Sequence, residues 1–156
     1  MLSFRNLNER DCDFILEQWV GNSAIFKERS KDELIQKIKS MNTKKYHGNY
    51  YEMFGILNDN VLVGTFSFYQ REIDKSENAV YLGVEISASN RKKGFATKAI
   101  MMAFEFARGK GYEKIFSQAS VYNDASVNLH KKCGFEVIEK TINSKGNEVY
   151  NYRYVL

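Results

Sequence analysis

The stretch RKKGFATKAI (residues 91–100) directly follows AVYLGVEIS (residues 79–87), an apolar run that is typical of a buried strand. It opens with three cations and continues through Gly94 into a helical pattern. The N-terminus of a helix presents unpaired backbone N–H groups and the positive end of the helix dipole. Glycine lets an anion come close to the backbone because it has no Cβ. The order strand, basic turn, glycine and helix therefore predicts a phosphate-binding site.

Three phosphate-binding motifs can be compared with this stretch. The Walker loop, Gly-x-x-x-x-Gly-Lys-Ser/Thr, does not occur in the sequence. A dinucleotide fold would require Gly-x-Gly-x-x-Gly after the first strand, and neither the glycines nor their position agree. The third motif, Arg-x-x-Gly-x-Ala, is present as Arg91, Gly94 and Ala96, and its backbone amides can bracket a pyrophosphate. Taken alone, the motif is equally compatible with a solvated turn at the exit of a strand.

Composition narrows the classes of partner. The 156 residues fit one domain, and 44% hydrophobic with 27% charged residues is ordinary for a globular protein. The net charge of +4 is mild and concentrated at residues 91–93, which favours a small polyanionic ligand over nucleic acid. No apolar run approaches the roughly 18 residues of a membrane helix, so no membrane partner is expected. The N-terminal residues lack an apolar signal core, so we expect a cytoplasmic protein.

The cysteines and histidines do not predict a metal site. Cys12 and Cys133 are far apart and match no metal-binding spacing, so we expect two free thiols in a reducing compartment. His47 and His130 are too few to complete a zinc site with them. No metal is expected.

Hydrophobic periodicity and turn residues predict one α+β domain over residues 1–156 with a mixed sheet. The predicted strands are 2–7, both arms of a hairpin in 51–70, 79–87, 114–122 and both arms of a hairpin in 135–156. The predicted helices are one around 14–19 capped by Asp11 or Asp13, one with a Ser30/Glu33 capping box, one after Gly94 and one in 123–135. Residues 42–49 read as a polar loop. Small residues on one stripe of the third helix indicate close packing on the sheet: Ala96, Ala99, Ala103 and Ala107.

In this order of elements the chain resembles the GNAT superfamily of acyl-CoA-dependent N-acyltransferases. The first family signature, Gln/Arg-x-x-Gly-x-Gly/Ala at the central helix after the fourth strand, appears here as RKKGFA. The second, an asparagine after the fifth strand and a helix that ends in Gly-Phe, runs here through Asn123, Ala125, Ser126, Leu129, Gly134 and Phe135. The resemblance covers nearly the whole chain and is closest to the ribosomal-protein alanine and spermidine N-acetyltransferase branches. It implies a mostly antiparallel sheet flanked by helices, with the fourth and fifth strands splayed to hold acyl-CoA.

The resemblance also implies a cofactor site for acetyl-CoA. Backbone groups of the fourth strand would pair with the pantetheine arm at Val84, Glu85 and Ile86. Amides at the start of the helix would bind the pyrophosphate at Lys93, Gly94, Phe95, Ala96 and Thr97. Arg91 and Lys92 would add charge at its edge, and charge-assisted hydrogen bonds are stronger than neutral ones. Asn123 and Ser126 would hold the cofactor arm near the thioester; Asn123 is also suited to be a helix N-cap, and both roles are compatible.

The general acid that would protonate the departing thiolate is left open. Many relatives carry a tyrosine four residues before the glycine of the closing Gly-Phe, where this chain has His130. Histidine can donate or accept a proton near neutral pH, so His130 is a candidate for that role. The alternative is a histidine packed within the fold, with the acid supplied instead by Tyr69, Tyr81 or Tyr122.

For the general base, Glu85 is the best single candidate because it lies on the strand that faces the cofactor, between apolar Val84 and Ile86. A side chain that points outward to solvent or to a lysine is the alternative. A chain of water molecules is a third option, which many relatives use. Cys133 is not expected to be a nucleophile, because direct transfer needs no acyl-enzyme.

Two classes of function follow from the resemblance. The first is an acetyl-CoA-dependent N-acetyltransferase in which a primary amine of a small molecule or a protein N-terminus attacks directly in a ternary complex. The second is a non-catalytic module of this fold that binds acyl-CoA. The intact RKKGFA and Asn123 favour the first, and the missing tyrosine favours the second. Acidic residues that suit a polycationic acceptor lie in the region of the first two helices: Glu9, Asp11, Asp13, Glu17 and Glu28. Because Lys27, Arg29 and Lys31 offset their charge, the sequence does not identify the acceptor. A homodimer is possible but is not decided by the sequence.

Overall fold

The computed structural model describes residues 1–19, 26–27, 30–43, 45–46 and 49–156. Its centre is one mixed sheet with the strand order β1-β3-β4-β5-β6-β8-β7, and β2 pairs with β3 beside it. The strands are β1 (Leu2–Asn6), β2 (Lys45–Tyr46), β3 (Asn49–Asn58), β4 (Val61–Tyr69), β5 (Ala79–Ile86), β6 (Lys114–Ser120), β7 (Glu136–Ile142) and β8 (Glu148–Val155). Every pair of neighbours is antiparallel except β5 and β6, which are parallel.

Among the described residues, five α-helices accompany the sheet: α1 (Cys12–Gln18), α2 (Lys31–Asn42), α3 (Glu72–Ser76), α4 (Phe95–Gly109) and α5 (Asp124–Lys132). The predicted α+β fold and the mostly antiparallel sheet are confirmed. Because the two-residue β2 precedes β3, the predicted fourth and fifth strands are β5 and β6. No helix in the described ranges is long and apolar enough to cross a lipid bilayer.

The two faces of the sheet carry two hydrophobic clusters. On one face, α4 packs against Phe66 and Phe68 of β4 and Val80 and Leu82 of β5. The predicted small-residue stripe lies in this contact, since Ala99, Ala103 and Ala107 are fully buried and Ala96 is half-buried. Small side chains let the helix backbone approach the strands closely. The other face is covered by α1 and α2, whose buried residues include Ile15, Trp19, Leu34 and Ile38.

The turns follow the predicted chemistry. Asp59 and Asn60 join β3 to β4 with φ values of 48° and 70°, which residues of this type tolerate. Gly111 follows α4 with φ of 84° and ends it. The last hairpin turns at Gly146, again with a positive φ of 80°.

The caps of the first two helices differ in part from the prediction. Asp11 is at the N-cap position of α1, as predicted, but its side chain makes no capping hydrogen bond there. Asn8 caps the one-turn 3-10 helix that leads into α1, and its side chain accepts from the Arg10 amide at 2.9 Å. Asp11 instead accepts from the Asn8 amide and binds the Arg5 guanidinium, both at 2.9 Å. At α2 the Ser30 hydroxyl accepts from the backbone amide of Glu33, which is the Ser30 half of the predicted capping box.

Two short elements were not predicted. Residues 45–46 lie in the expected polar loop but pair with β3, while residues 44, 47 and 48 lie outside the described residues. Helix α3 is held by Asp74, which is fully buried and binds the backbone amide and the guanidinium of Arg71. The strand β2 depends on its pairing with β3, and a local polar sequence carries no signal of this contact.

Candidate functional site

The central feature of the site is a fork between β5 and β6. The two parallel strands pair only at Ala79–Lys114, Val80–Ile115 and Tyr81–Phe116. Beyond these pairs, residues 82–86 stay bonded to β4 and residues 117–120 stay bonded to β8, so the two strands diverge. We call this opening, between residues 82–86 and 117–120, the fork. The predicted splay of the fourth and fifth strands is therefore observed, and within the described part of the chain it leaves residues 82–86 of β5 without a neighbouring strand on the side of β6.

The fork opens toward the N-termini of two helices. Parallel strands end at the same edge of a sheet, and here α4 follows β5 while α5 follows β6. The two helix N-termini consequently lie on either side of the mouth of the fork. The sequence places RKKGFA at the first of them and Asn123 at the second.

The turn before α4 is organised to expose backbone amides. Gly94 is its N-cap residue, with φ of 80°, and a Cβ built there would meet no atom within 4 Å. The first hydrogen bond of the helix runs from the Lys98 amide to the Gly94 carbonyl, so the amides of residues 94–97 precede the intrahelical ladder. No acidic side chain occupies the first turn. An anion can therefore approach these amides without meeting a competing protein carboxylate.

The basic residues of this turn are exposed and tied to the end of β5. Arg91 donates from Nε to the carbonyl oxygen of Ile86 at 3.1 Å. Lys92 has a φ of 63°, an uncommon conformation for a residue with a side chain. Arg91, Lys92 and Lys93 are all exposed, so their charges surround the amides of the helix N-terminus.

Side chains on β5 alternate between the two faces of the sheet. Val84 and Ile86 pack in the cluster under α4, whereas Glu85 projects from the opposite face beside its cross-strand neighbour Thr65. The apolar residues that flank Glu85 in the sequence consequently do not surround its carboxylate. Among the described residues, the fully buried hydroxyl of Thr65 has no hydrogen-bond partner. A hydroxyl that can still form a hydrogen bond therefore lies next to Glu85. Glu85 itself is half-buried.

At the other side of the mouth, Asn123 caps α5. Its Oδ1 accepts from the Ser126 amide at 3.1 Å, so the predicted cap is present. Asn123 is exposed and Ser126 is half-buried. The cap leaves the amide group of Asn123 at the surface beside the fork.

His130 is enclosed in the fold and has partners at both ring nitrogens. It is 6% exposed, its Nε2 lies 2.9 Å from the Ser117 hydroxyl, and its Nδ1 lies 2.7 Å from the Ser126 carbonyl oxygen. Its ring stacks on Tyr152 at 4.2 Å between centroids. Burial lowers the pKa of His130, and the bond to Ser126 acts in the opposite direction. The imidazole therefore contacts the fork through the hydroxyl of Ser117.

The candidate tyrosines lie in different environments. Tyr69 and Tyr81 stack on each other at 4.8 Å on the face that carries Glu85, and the Arg71 guanidinium lies 4.7 Å from the Tyr81 ring centre. Burial raises the pKa of both phenols, which keeps them protonated at neutral pH. Tyr122 is 77% exposed. Tyr81 belongs to the last paired rung before the fork, so it lies at the closed end of the opening.

Sequence reasoning did not identify Ser117 as part of the site. It follows the last paired residue of β6, and its hydroxyl donates to the carbonyl oxygen of Leu82 on β5 at 3.1 Å. The sequence feature that could have identified Ser117 is its position on β6 between Ile115 and Ala119, which lie on the same face and are apolar and buried. A serine between two such residues indicates a buried hydroxyl. Its partner across the fork depends on the strand order, which the sequence does not state.

The sequence matches the family model described as the acetyltransferase (GNAT) family over residues 13–135. The chain belongs to the GNAT acetyltransferase family. As a member, it is an acyl-CoA-dependent N-acetyltransferase with acetyl-CoA as its co-substrate. Among curated protein sequences, none matches this chain.

Several solved structures share the fold. An N-acetyltransferase of Salmonella typhimurium that modifies the N-terminal serine of ribosomal protein L7/L12 is 17% identical with a TM-score of 0.80, over 99% of this chain and 95% of that one. A dodecameric spermidine N-acetyltransferase of Vibrio cholerae is 23% identical with a TM-score of 0.76, over 99% and 93%. A Salmonella typhimurium acetyltransferase solved with acetyl-CoA is 18% identical with a TM-score of 0.73, over 99% and 94%.

Proposed function

We propose that acetyl-CoA binds along the open edge of β5, with its pyrophosphate at the N-terminus of α4. The observation that carries this proposal is that residues 82–86 of β5 do not pair with β6, and that the strand leads through the basic turn to the amides of residues 94–97, which precede the intrahelical hydrogen bonds of α4. The pantetheine arm contains amide groups that suit the backbone of Val84, Glu85 and Ile86. The pyrophosphate suits the amides of Lys93 through Thr97, with Arg91 and Lys92 at its edge. Asn123 and Ser126 would contact the arm from the other side.

In this arrangement the reacting thioester lies toward the closed end of the fork. The arm runs from the helix N-terminus back along β5, and the four residue steps from Ile86 to Leu82 span about 13 Å at the rise of a strand. An amine that enters the fork would attack the thioester directly in a ternary complex. Glu85, alone or through water, would remove the proton of an incoming ammonium group.

An acyl-enzyme is not part of this proposal. Cys133 is 4% exposed at the end of α5, and burial raises the pKa of its thiol. A buried thiol with a raised pKa forms little of the thiolate that acts as a nucleophile. Cys12 is fully buried, and burial raises the pKa of that thiol too.

The acceptor class is a primary amine of a small molecule or of a protein N-terminus. The similar structures include one enzyme named for spermidine and one that modifies a protein N-terminus. Three acids of the α1–α2 region are ion-paired in this chain, in the pairs Asp11–Arg5, Asp13–Lys31 and Glu9–Lys39. Paired carboxylates attract a polycation less than free ones, so monoamines and N-terminal peptides are acceptors to test beside polyamines.

The test of this function is release of the CoA thiol from acetyl-CoA in the presence of panels of amines. The panels are polyamines, aminoglycosides, amino acids and peptides with free N-termini. We expect at least one class to accelerate thiol release, with the acetyl group recovered on the amine by mass spectrometry. Binding of acetyl-CoA without transfer to any amine would favour the non-catalytic acyl-CoA-binding module instead.

Two further points are part of the proposal. A cytoplasmic location is supported by free cysteine thiols at Cys12 and Cys133, which suit a reducing compartment. A homodimer stays a prediction, which light scattering of the purified protein tests.

A further inference from the structure

Two buried polar side chains occupy the closed end of the fork. Ser117 is 7% exposed and His130 is 6% exposed. The Ser117 hydroxyl lies 3.1 Å from the carbonyl oxygen of Leu82 and 2.9 Å from Nε2 of His130. It thus joins β5 to α5 at the point where β5 and β6 separate.

The hydrogen bonds determine which ring nitrogen carries the proton in neutral His130. The carbonyl oxygen of Ser126 can only accept, so Nδ1, at 2.7 Å from it, must carry a hydrogen. In the neutral imidazole, Nε2 is then an acceptor. Ser117 has one hydroxyl hydrogen and two acceptors within reach, Nε2 and the Leu82 carbonyl oxygen. One of the two acceptors is left without that hydrogen.

Adding one proton to His130 resolves this competition. Nε2 then donates to the Ser117 oxygen, and the Ser117 hydroxyl donates to the Leu82 carbonyl oxygen. Each donor and acceptor in this row of hydrogen bonds, from His130 to Leu82, then has a partner. The cluster has two hydrogen-bond arrangements that differ by one proton, and the Ser117 oxygen takes part in both. A hydroxyl in this position can pass a proton between the fork and the ring.

We infer that Ser117 and His130 form a proton relay that carries a proton from the attacking amine to the departing sulfur of CoA. Ser117 is the catalytic residue, because its hydroxyl lies where the thioester is placed. His130 acts through Ser117 and stores the proton. This inference rests on the proposed placement of acetyl-CoA along β5.

The neutral amine attacks the thioester carbonyl carbon, a C–N bond forms, and the π electrons move to oxygen. The nitrogen, now positively charged, gives a proton to the Ser117 oxygen as the hydroxyl hydrogen of Ser117 moves to Nε2 of His130. The carbonyl reforms and the C–S bond breaks with its electron pair on sulfur. Nε2 then returns its proton to Ser117, which passes its hydrogen to the thiolate.

The surroundings of His130 suit temporary storage of a proton. The neighbours of its ring among the described residues are uncharged: Tyr152 stacks on it at 4.2 Å, Phe135 lies at 5.0 Å, and Ser117 and Ser126 bond its nitrogens. Burial raises the pKa of Tyr152 as well, so that phenol keeps its hydrogen. Because burial disfavours the charged imidazole, the ring releases its proton readily once the sulfur can take it.

The kinetic test compares single, double and rescue variants with an amine that the enzyme accepts. We expect Ser117→Ala and His130→Gln each to lower kcat by about 10²-fold or more, the usual effect of a proton-transfer group, without a change in the KM of acetyl-CoA. The double variant should be no slower than the slower single variant, because the two residues act as one unit. Ser117→Thr keeps the hydroxyl and should restore most of kcat. Ser3→Ala, the same change at an exposed position of the edge strand β1, is the control and should keep full kcat.

A second measurement does not require turnover. Nitrogen NMR of the His130 ring should show the Nδ1–H tautomer in the free protein at pH 7. Added CoA should shift the Nε2 signal more than an analogue that lacks the sulfur atom, because only CoA places a thiol beside Ser117.

The outcomes separate this inference from the proposed function. Full kcat in Ser117→Ala, or equal Nε2 shifts with bound CoA and the bound sulfur-free analogue, would overturn the relay and leave the cofactor site intact. A rise in KM with unchanged kcat would also overturn it, because Ser117 would then serve binding alone. If CoA does not bind at all, the relay and the proposed function fall together.

Discussion

The Nε atom of Arg91 donates a hydrogen bond to the carbonyl oxygen of Ile86 at 3.1 Å. This bond joins the basic turn to the last residue of β5. The strand edge proposed for the pantetheine arm and the helix N-terminus proposed for the pyrophosphate are thereby held in one arrangement. Arg91 consequently has two roles in the proposal, one in the position of the turn and one in its charge.

Arg91→Ala should weaken the binding of acetyl-CoA. Hydrogen bonds to charged groups contribute about 1.5–3 kcal/mol, so we expect Kd to rise by roughly 10- to 100-fold. Arg91→Lys keeps the charge without the planar guanidinium, so its Kd should lie between that of the unchanged protein and that of Arg91→Ala. Isothermal titration calorimetry measures the affinities. Arg108→Ala removes the same charge at the other end of α4, where Arg108 pairs with Glu105, and should bind like the unchanged protein. Equal affinities for Arg91→Ala and Arg108→Ala would contradict the role of Arg91.

Gly64→Ala should destabilise the strand that forms the open edge. A Cβ at Gly64 would lie 2.6 Å from the carbonyl oxygen of Glu85 and 2.7 Å from Cδ1 of Ile86. Because backbone must move to relieve the first contact, we expect a loss of about 1–3 kcal/mol in the free energy of unfolding. Urea unfolding measures it. Gly109→Ala, where a Cβ meets no atom within 4 Å, is the control and should show no comparable loss. A stable Gly64→Ala variant would mean that β4 and β5 are not in the observed register.

The burial of His130 should make stability depend on pH. The pKa of His130 is lowered in the folded state, so the unfolded state takes up a proton first as pH falls below its ordinary value of about 6.5. The free energy of unfolding should therefore fall as pH drops from about 6.5 toward the lowered pKa of His130. Above about pH 6.5 the stabilisation that comes from the neutral ring is fully present. Urea unfolding at a series of pH values should show this fall in the free energy of unfolding for the unchanged protein and not for His130→Gln. Parallel pH curves for the two proteins would show that the ring is not buried in its neutral form.

Local rules of sequence predicted the architecture of the site because its parts are local. The strand before Gly94, the glycine itself and the first turn of α4 are contiguous, and Asn123 caps the helix that directly follows it. Each of these features depends on residues within one turn of chain. Family resemblance then supplied the splay of β5 and β6, which no local pattern expresses.

The environment of the catalytic candidates could not be predicted in the same way. The pair Ser117–His130 joins residues 13 positions apart through the order of β6 and α5 in the fold. The face on which Glu85 lies follows from its pairing with Thr65, and reading its neighbours in the sequence as its surroundings did not account for the alternation of a strand. The Ser117–His130 contact and the face on which Glu85 lies both depend on how the elements pair in the fold. Correct prediction of the strands and helices along the sequence therefore does not determine either of them.

The most direct measurement for the central claim is the change in melting temperature on addition of acetyl-CoA. The unchanged protein should melt at a higher temperature with acetyl-CoA, because a ligand that binds only the folded state stabilises it. Gly94→Glu should abolish the rise, since it places a side chain and a negative charge at the proposed pyrophosphate position. Gly146→Glu is the matched control, since both glycines have φ of 80° and no atom within 4 Å of a Cβ. We predict that Gly146→Glu keeps the full rise; an undiminished rise in Gly94→Glu would contradict the placement of acetyl-CoA at α4.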